Sequence, residues 1–78
     1  MDHITTTLDL LPMGNRGRVT GLLADGNVRR RFLDLGLIDN TTVEALHKSP
    51  AGDPVAYYIR GTVIALRLQE AAKIIIEI

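Results

Sequence analysis

Two apolar runs, Val55–Ile59 and Thr62–Leu66, stand on either side of Arg60-Gly61, and that spacing constrains the fold more than any other feature of the chain. A two-residue connection is what a tight β-hairpin uses, and a glycine in it supplies the positive φ such turns need. In that register Ile59 faces Thr62, Tyr57 faces Ile64 and Val55 faces Leu66. Side chains alternate across a strand, so these six share one face, which is almost wholly apolar and must point inward. Ala56, Tyr58, Arg60, Val63, Ala65 and Arg67 take the other face. The two adjacent tyrosines thus have opposite roles: Tyr57 belongs to the core and Tyr58 to the surface.

The remaining elements follow from periodicity and punctuation. Residues 1–7 are polar and rich in threonine, and read as a loose lead-in to a single domain over 8–78. Thr7 can cap one helical turn near 8–11, which Pro12 ends. Arg16 to Leu23 reads as a first strand, with Gly17 and Gly21 marking a bend or bulge of the kind that lets a sheet curl. A short helix follows, capped by Asp25 or Asn27. Its buried face is expected to hold Val28, Phe32 and Leu35, at the i, i+4, i+7 spacing. Gly36 sits where a left-handed C′ residue belongs, and Leu37 can fold back on Phe32 as a Schellman ending requires.

After a turn at Asp39-Asn40-Thr41 comes a second strand, Thr42 to Lys48, and then a stiff loop from Ser49 to Pro54 holding two prolines and a glycine. A helical turn over 68–72 precedes a closing strand, Ile74 to Ile78. That strand is apolar and would be a hazardous edge if unpaired, so pairing with the first strand is its natural protection. Five short strands with one helix after the first make a mainly β chain and a small-barrel plan.

A domain of 78 residues buries only about 60% of the surface its unfolded chain exposes, so it needs a good core or a staple. Cysteine is absent, which excludes disulfides and thiolate zinc sites and makes a reducing compartment the easier home. Apolar residues make up 46% of the chain, enough for the core to stabilise it unaided. Nine basic and nine acidic side chains cancel, whereas a domain gripping phosphates shows a basic excess, so nucleic acid is not the expected partner. The first residues show neither the basic region nor the apolar run of a signal peptide. No stretch approaches the roughly 18 apolar residues of a membrane span.

Reactive groups are sparse. The one serine, Ser49, has only His47 near it in sequence, without an orienting carboxylate or an oxyanion motif. No glycine-rich phosphate loop precedes a helix. The two histidines, His3 and His47, lack ligand spacing; with Asp53 or Glu44 they are weak candidates for a metal site, and no cofactor is expected. The chain therefore reads as non-catalytic.

What stands out is charge and shape. Arg29, Arg30 and Arg31 lie between the core positions Val28 and Phe32 and fan across the outer face of the helix, where Arg30 can pair with Asp34. A solvated helix face, a surface for an acidic partner and a thin nucleic-acid footprint are the three readings of this run. With only three aromatic residues, two of them assigned inward, a proline-peptide groove is not expected.

Taken together, certain strings resemble the ferrous iron transport protein A (FeoA) family. They are Leu8-x-x-Leu11-x-x-Gly14, Gly17-Arg18-Val19 and the run from Arg29 to Leu37 ending Leu-Gly-Leu. Ala51-Gly52-Asp53-Pro54-Val55-Ala56 and Arg60-Gly61-x-x-Ile64-Ala65-Leu66-Arg67 complete the match. Asp39-Asn40 departs from the family's usual Pro-Gly, though the turn chemistry survives. The resemblance implies an SH3-like barrel acting in the bacterial cytoplasm, peripheral to the inner membrane, beside the ferrous iron transporter and its G-protein-like domain. Partner-binding residues would be Arg29, Arg30, Arg31, Gly52, Asp53, Pro54 and Tyr58. The alternative is a free-standing metal-sensing domain, since similar barrels end metal-dependent repressors.

Overall fold

The computed structural model describes residues 4–78. Six strands form one antiparallel sheet: β1 (Thr5–Thr7), β2 (Arg16–Leu22), β3 (Thr42–Lys48), β4 (Val55–Ile59), β5 (Thr62–Leu66) and β6 (Ile74–Glu77). Their spatial order is β1-β6-β2-β3-β4-β5. Helix α1 (Gly26–Asp34) follows β2, a 3-10 turn spans Leu8–Leu10, and a short helix α2 (Leu68–Ala71) precedes β6.

The hairpin register is the expected one, with Val55 opposite Leu66, Tyr57 opposite Ile64 and Ile59 opposite Thr62. Arg60 and Gly61 both take positive φ, 48° and 85°, which is the backbone that twists a two-residue turn with its strands. Val55, Tyr57, Ile59 and Leu66 are buried, and Tyr58 is 45% exposed.

One face of the sheet supplies most of a single core: Val19, Val43, Ala45, Tyr57, Ile59, Ile74 and Ile76 join Leu8, Leu11, Phe32, Leu37 and Ala71 in it. Two short helices cannot cover so many inward side chains, so the sheet curls over them, as strands of a small barrel do. Gly17 lets β6 side chains pack close against β2. A β-carbon there would lie 2.7 Å from Ile76 Cδ1, so the end of the Ile76 side chain occupies the space that a side chain at residue 17 would need. The register between these strands also slips between Val19 and Gly21, the bulge the two glycines foreshadow. A second slip, between Ala45 and His47 where β3 meets β4, has no glycine to announce it.

Three expectations are corrected. Thr5–Thr7 is not a loose lead-in but a strand pairing with β6, from Thr5 opposite Glu77 to Thr7 opposite Ile75. Threonine is β-branched and stiff in extended backbone, and reciprocal bonds between Ile4 and Ile78 (3.1 and 2.9 Å) extend the ladder. The strand count is therefore six, with β6 covered on both sides. Val28 is 41% exposed rather than core, because burial on α1 is confined to its C-terminal half, where Phe32 is its one buried residue. Arg30 and Asp34 form no ion pair among the described residues; the pairs there are Arg16–Glu44, Arg18–Glu77 and Arg31–Glu70.

The end of α1 is as the glycine requires. The Leu37 N–H donates to the Phe32 carbonyl and the Gly36 N–H to the Leu33 carbonyl, both at 3.0 Å, the two bonds of a Schellman motif.

Candidate partner-binding surfaces

The residues nominated from sequence fall on two separate surfaces, and two of them are held in internal contacts. On α1, Arg31 forms an ion pair with Glu70 of α2. Glu70 also accepts the N–H of Arg67 at 3.0 Å, so this carboxylate ties α1 to the start of α2. Arg29 and Arg30 are exposed and take part in none of the ion pairs among the described residues. Arg29 lines an open groove of about 220 Å³ between α1 and β2, with Val19, Thr20, Leu33, Leu37 and Asp39. Leu33 is 39% exposed there.

The 49–54 loop behaves differently from its reading as an exposed docking element. Asp53 Oδ1 accepts the N–H of Leu68 at 2.9 Å, which satisfies one of the free donors at the start of α2. Gly52 turns the chain at φ 87°, and its N–H donates to the Ser49 carbonyl at 2.8 Å. Pro54 lines a shallow pocket of about 160 Å³ on the outer sheet face with His47, Ser49, Ala56 and Ala65. Tyr58 stands on that same outer face, opposite Val63, which is 58% exposed. The structure thus gathers Pro54 and Tyr58 on the outer face of the hairpin, and Arg29 and Arg30 on α1.

His47 is exposed on β3 and Glu44 is engaged by Arg16, with Arg16 Nε 3.2 Å from Glu44 Oε1. No group of three or more histidine, aspartate or glutamate side chains converges among the described residues; His3 lies outside them. Among the described residues, one internal phenol is shifted. Burial pushes the Tyr57 phenol up from 10.0 to about 12, and the carboxylates of Asp9 and Asp53 add to the effect. Its hydroxyl makes a long bond to the Leu8 carbonyl, 3.4 Å.

Residues the sequence reading passed over are Leu33 and Asp39 beside α1, and Ser49, Val63 and Ala65 on the outer face. The hairpin register places Val63 and Ala65 outward, and that is the available signal; the pocket beside Ala65 also draws on His47 and the 49–54 loop, whose approach to the hairpin has none.

This is the architecture of a small SH3-like domain: a curled antiparallel sheet, one short helix after its second strand, and chemistry confined to surface charge and shape. The chain belongs to the FeoA domain family, which matches residues 6–78. It is 36% identical to a FeoA protein of Chlorobium tepidum, whose structure superposes with a TM-score of 0.87 over 94% of this chain and 70% of that one. A zinc-complexed FeoA of Stenotrophomonas maltophilia, described as a procaryotic SH3 domain protein, shares 28% identity and a TM-score of 0.81, covering 91% of this chain and 88% of that one. A Porphyromonas gingivalis protein described as a fusion of Fe(2+) transport protein A with the Fe(2+) transporter FeoB is 31% identical over 71 residues. That match covers 91% of this chain but only 8% of the fusion protein. The family is one of ferrous iron transport. No helix among the described residues is long and apolar enough to cross a membrane.

Proposed function

We propose that this chain is a non-catalytic accessory of ferrous iron transport that docks on the cytoplasmic, G-protein-like part of the iron transporter and modulates uptake. The fusion relative carries this reading: there a domain similar to this chain is joined to the transporter in one polypeptide. Covalent linkage of two modules replaces a binding equilibrium with a high local concentration, which is useful when the separate modules work in contact. The surface fits the role, because the arrangement exposes Tyr58 and Val63 on the outer face of the hairpin and holds no cluster of metal-ligating side chains among the described residues.

The test is ferrous iron uptake by cells that carry the transporter, with this chain present, deleted or restored. Uptake should fall on deletion and recover on restoration. Unchanged uptake removes the reading. Nucleotide hydrolysis by the transporter, measured with and without the chain, separates a modulator of turnover from a scaffold.

A further inference from the structure

Strand β5 ends the sheet and pairs with β4 alone. In a two-residue hairpin the residues closing the turn exchange both backbone bonds, and bonded and non-bonded pairs then alternate. Ile59 with Thr62 closes this turn, so Thr62, Ile64 and Leu66 spend their backbone groups on β4. The N–H and C=O groups of Val63 and Ala65 point the other way. None of the turn, loop or cap backbone bonds among the described residues reaches 62–66.

Edge strands are commonly guarded by a charge, a proline or a bulge. Thr-Val-Ile-Ala-Leu has none of these, and its pairing to β4 is regular from end to end. The side chains beside this edge are apolar too. Val63 stands next to Tyr58, and Ala65 lines the pocket formed with His47, Ser49, Pro54 and Ala56. Within that pocket's lining, the Ser49 hydroxyl is buried with no hydrogen-bond partner among the described residues. An arginine stands at each end of the strand, Arg60 and Arg67, both exposed and both outside the ion pairs among the described residues.

We propose that β5 is a docking edge that accepts an extended segment of the transporter as a seventh strand, apolar in alternation and acidic at its ends. Backbone bonds to Val63 and Ala65 would supply the register, and an outer-face side chain level with Ala65 would lean over the pocket. Acidic ends would meet Arg60 and Arg67. Charge also disfavours a second copy of this chain in the fully overlapped register. Two-fold pairing of β5 about Ile64 sets Arg67 opposite Gly61 and so beside the neighbour's Arg60, like against like.

The inference rests on the transporter being the partner, and one experiment separates the two. Full-length chain is bound to the transporter in lipid nanodiscs as wild type, Ala65→Pro, Val63→Glu and the double variant Arg29→Glu/Arg30→Glu. Ala65→Pro removes an outward N–H and also restrains the backbone at 64–65, which is why the melts are needed, whereas Val63→Glu leaves the backbone alone and adds a charge at an exposed position. Thermal melts confirm that each variant is folded. The expectation is binding about tenfold or more weaker for both edge variants, and nearly unchanged for the double variant. Equal binding of wild type and edge variants overturns the docking edge while leaving the transporter as partner. Loss only in the double variant moves the interface to α1 and overturns it too. A concentration-dependent dimer abolished by Ala65→Pro, with unaltered transporter binding, makes the second copy the occupant and overturns it. No binding by wild type removes the partner and this inference with it.

Discussion

The aliphatic stem of Arg60 fills the space a β-carbon on Gly36 would need: an atom built there would lie 2.5 Å from Arg60 Cδ and 3.3 Å from Cγ. The tip of the β4–β5 hairpin is thereby packed on the last turn of α1. Gly36 also takes φ 95°, outside the range side chains favour. Gly36→Ala should cost about 1–2 kcal/mol in chemical denaturation, through backbone strain more than collision, since the arginine stem can swing aside. Adding Arg60→Ala should therefore recover less than half of the loss. Full recovery would show that the collision dominates.

Tyr57 gives the fold a dependence on alkaline pH. Its folded-state value, about 12, lies above the unfolded 10.0. The neutral phenol is thus fully stabilising below about pH 10, and that contribution drains away as pH rises through 12, because the unfolded chain loses the proton first. The total is on the order of 3 kcal/mol. Melting temperature measured from pH 8 to 11.5 should fall more steeply for wild type than for Tyr57→Phe, which differs from it in that one phenol alone. Parallel slopes would contradict the assignment.

Glu70 should matter more than the arginine it holds. Arg31→Ala deletes one exposed ion pair and should cost less than about 1 kcal/mol. Glu70→Ala deletes that pair and also the acceptor for the Arg67 N–H, and should cost about 1–2 kcal/mol. Urea denaturation of both variants checks the order, and the reverse order would mean that the cap carries nothing.

Asp53 separates a structural role from a docking one. Its carboxylate caps α2 from a distant loop, so Asp53→Ala should lose about 1 kcal/mol of stability, while Asp53→Asn keeps an acceptor and most of the stability. Transporter binding by folded Asp53→Ala should match wild type. Weakened binding at unchanged stability would return Asp53 to the interface.

Much of the fold was legible because local rules agreed with one another. The hairpin was fixed by Arg60-Gly61 and its flanking alternation, the end of α1 by Gly36 with Leu37, and the pairing of β6 with β2 by an apolar strand that needed cover. What escaped lacks a local signature. Thr5–Thr7 is a strand because Ile75 and Glu77 stand opposite it, not because three threonines alternate. Val28 keeps the helical spacing of Phe32 yet stays exposed, since spacing defines a face but not how far along the helix the sheet extends. Arg31 and Asp53 looked like free surface charge until partners distant in sequence, Glu70 and Leu68, were brought against them. The candidate surface was least legible of all, since the pocket beside Ala65 joins residues of three strands and a loop.

Equilibrium binding of the purified full-length chain to the ferrous iron transporter in nanodiscs tests the central claim most directly. The account predicts saturable binding that strengthens as ionic strength falls, because Arg60 and Arg67 flank the contact. Absence of saturable binding at any salt concentration would contradict it.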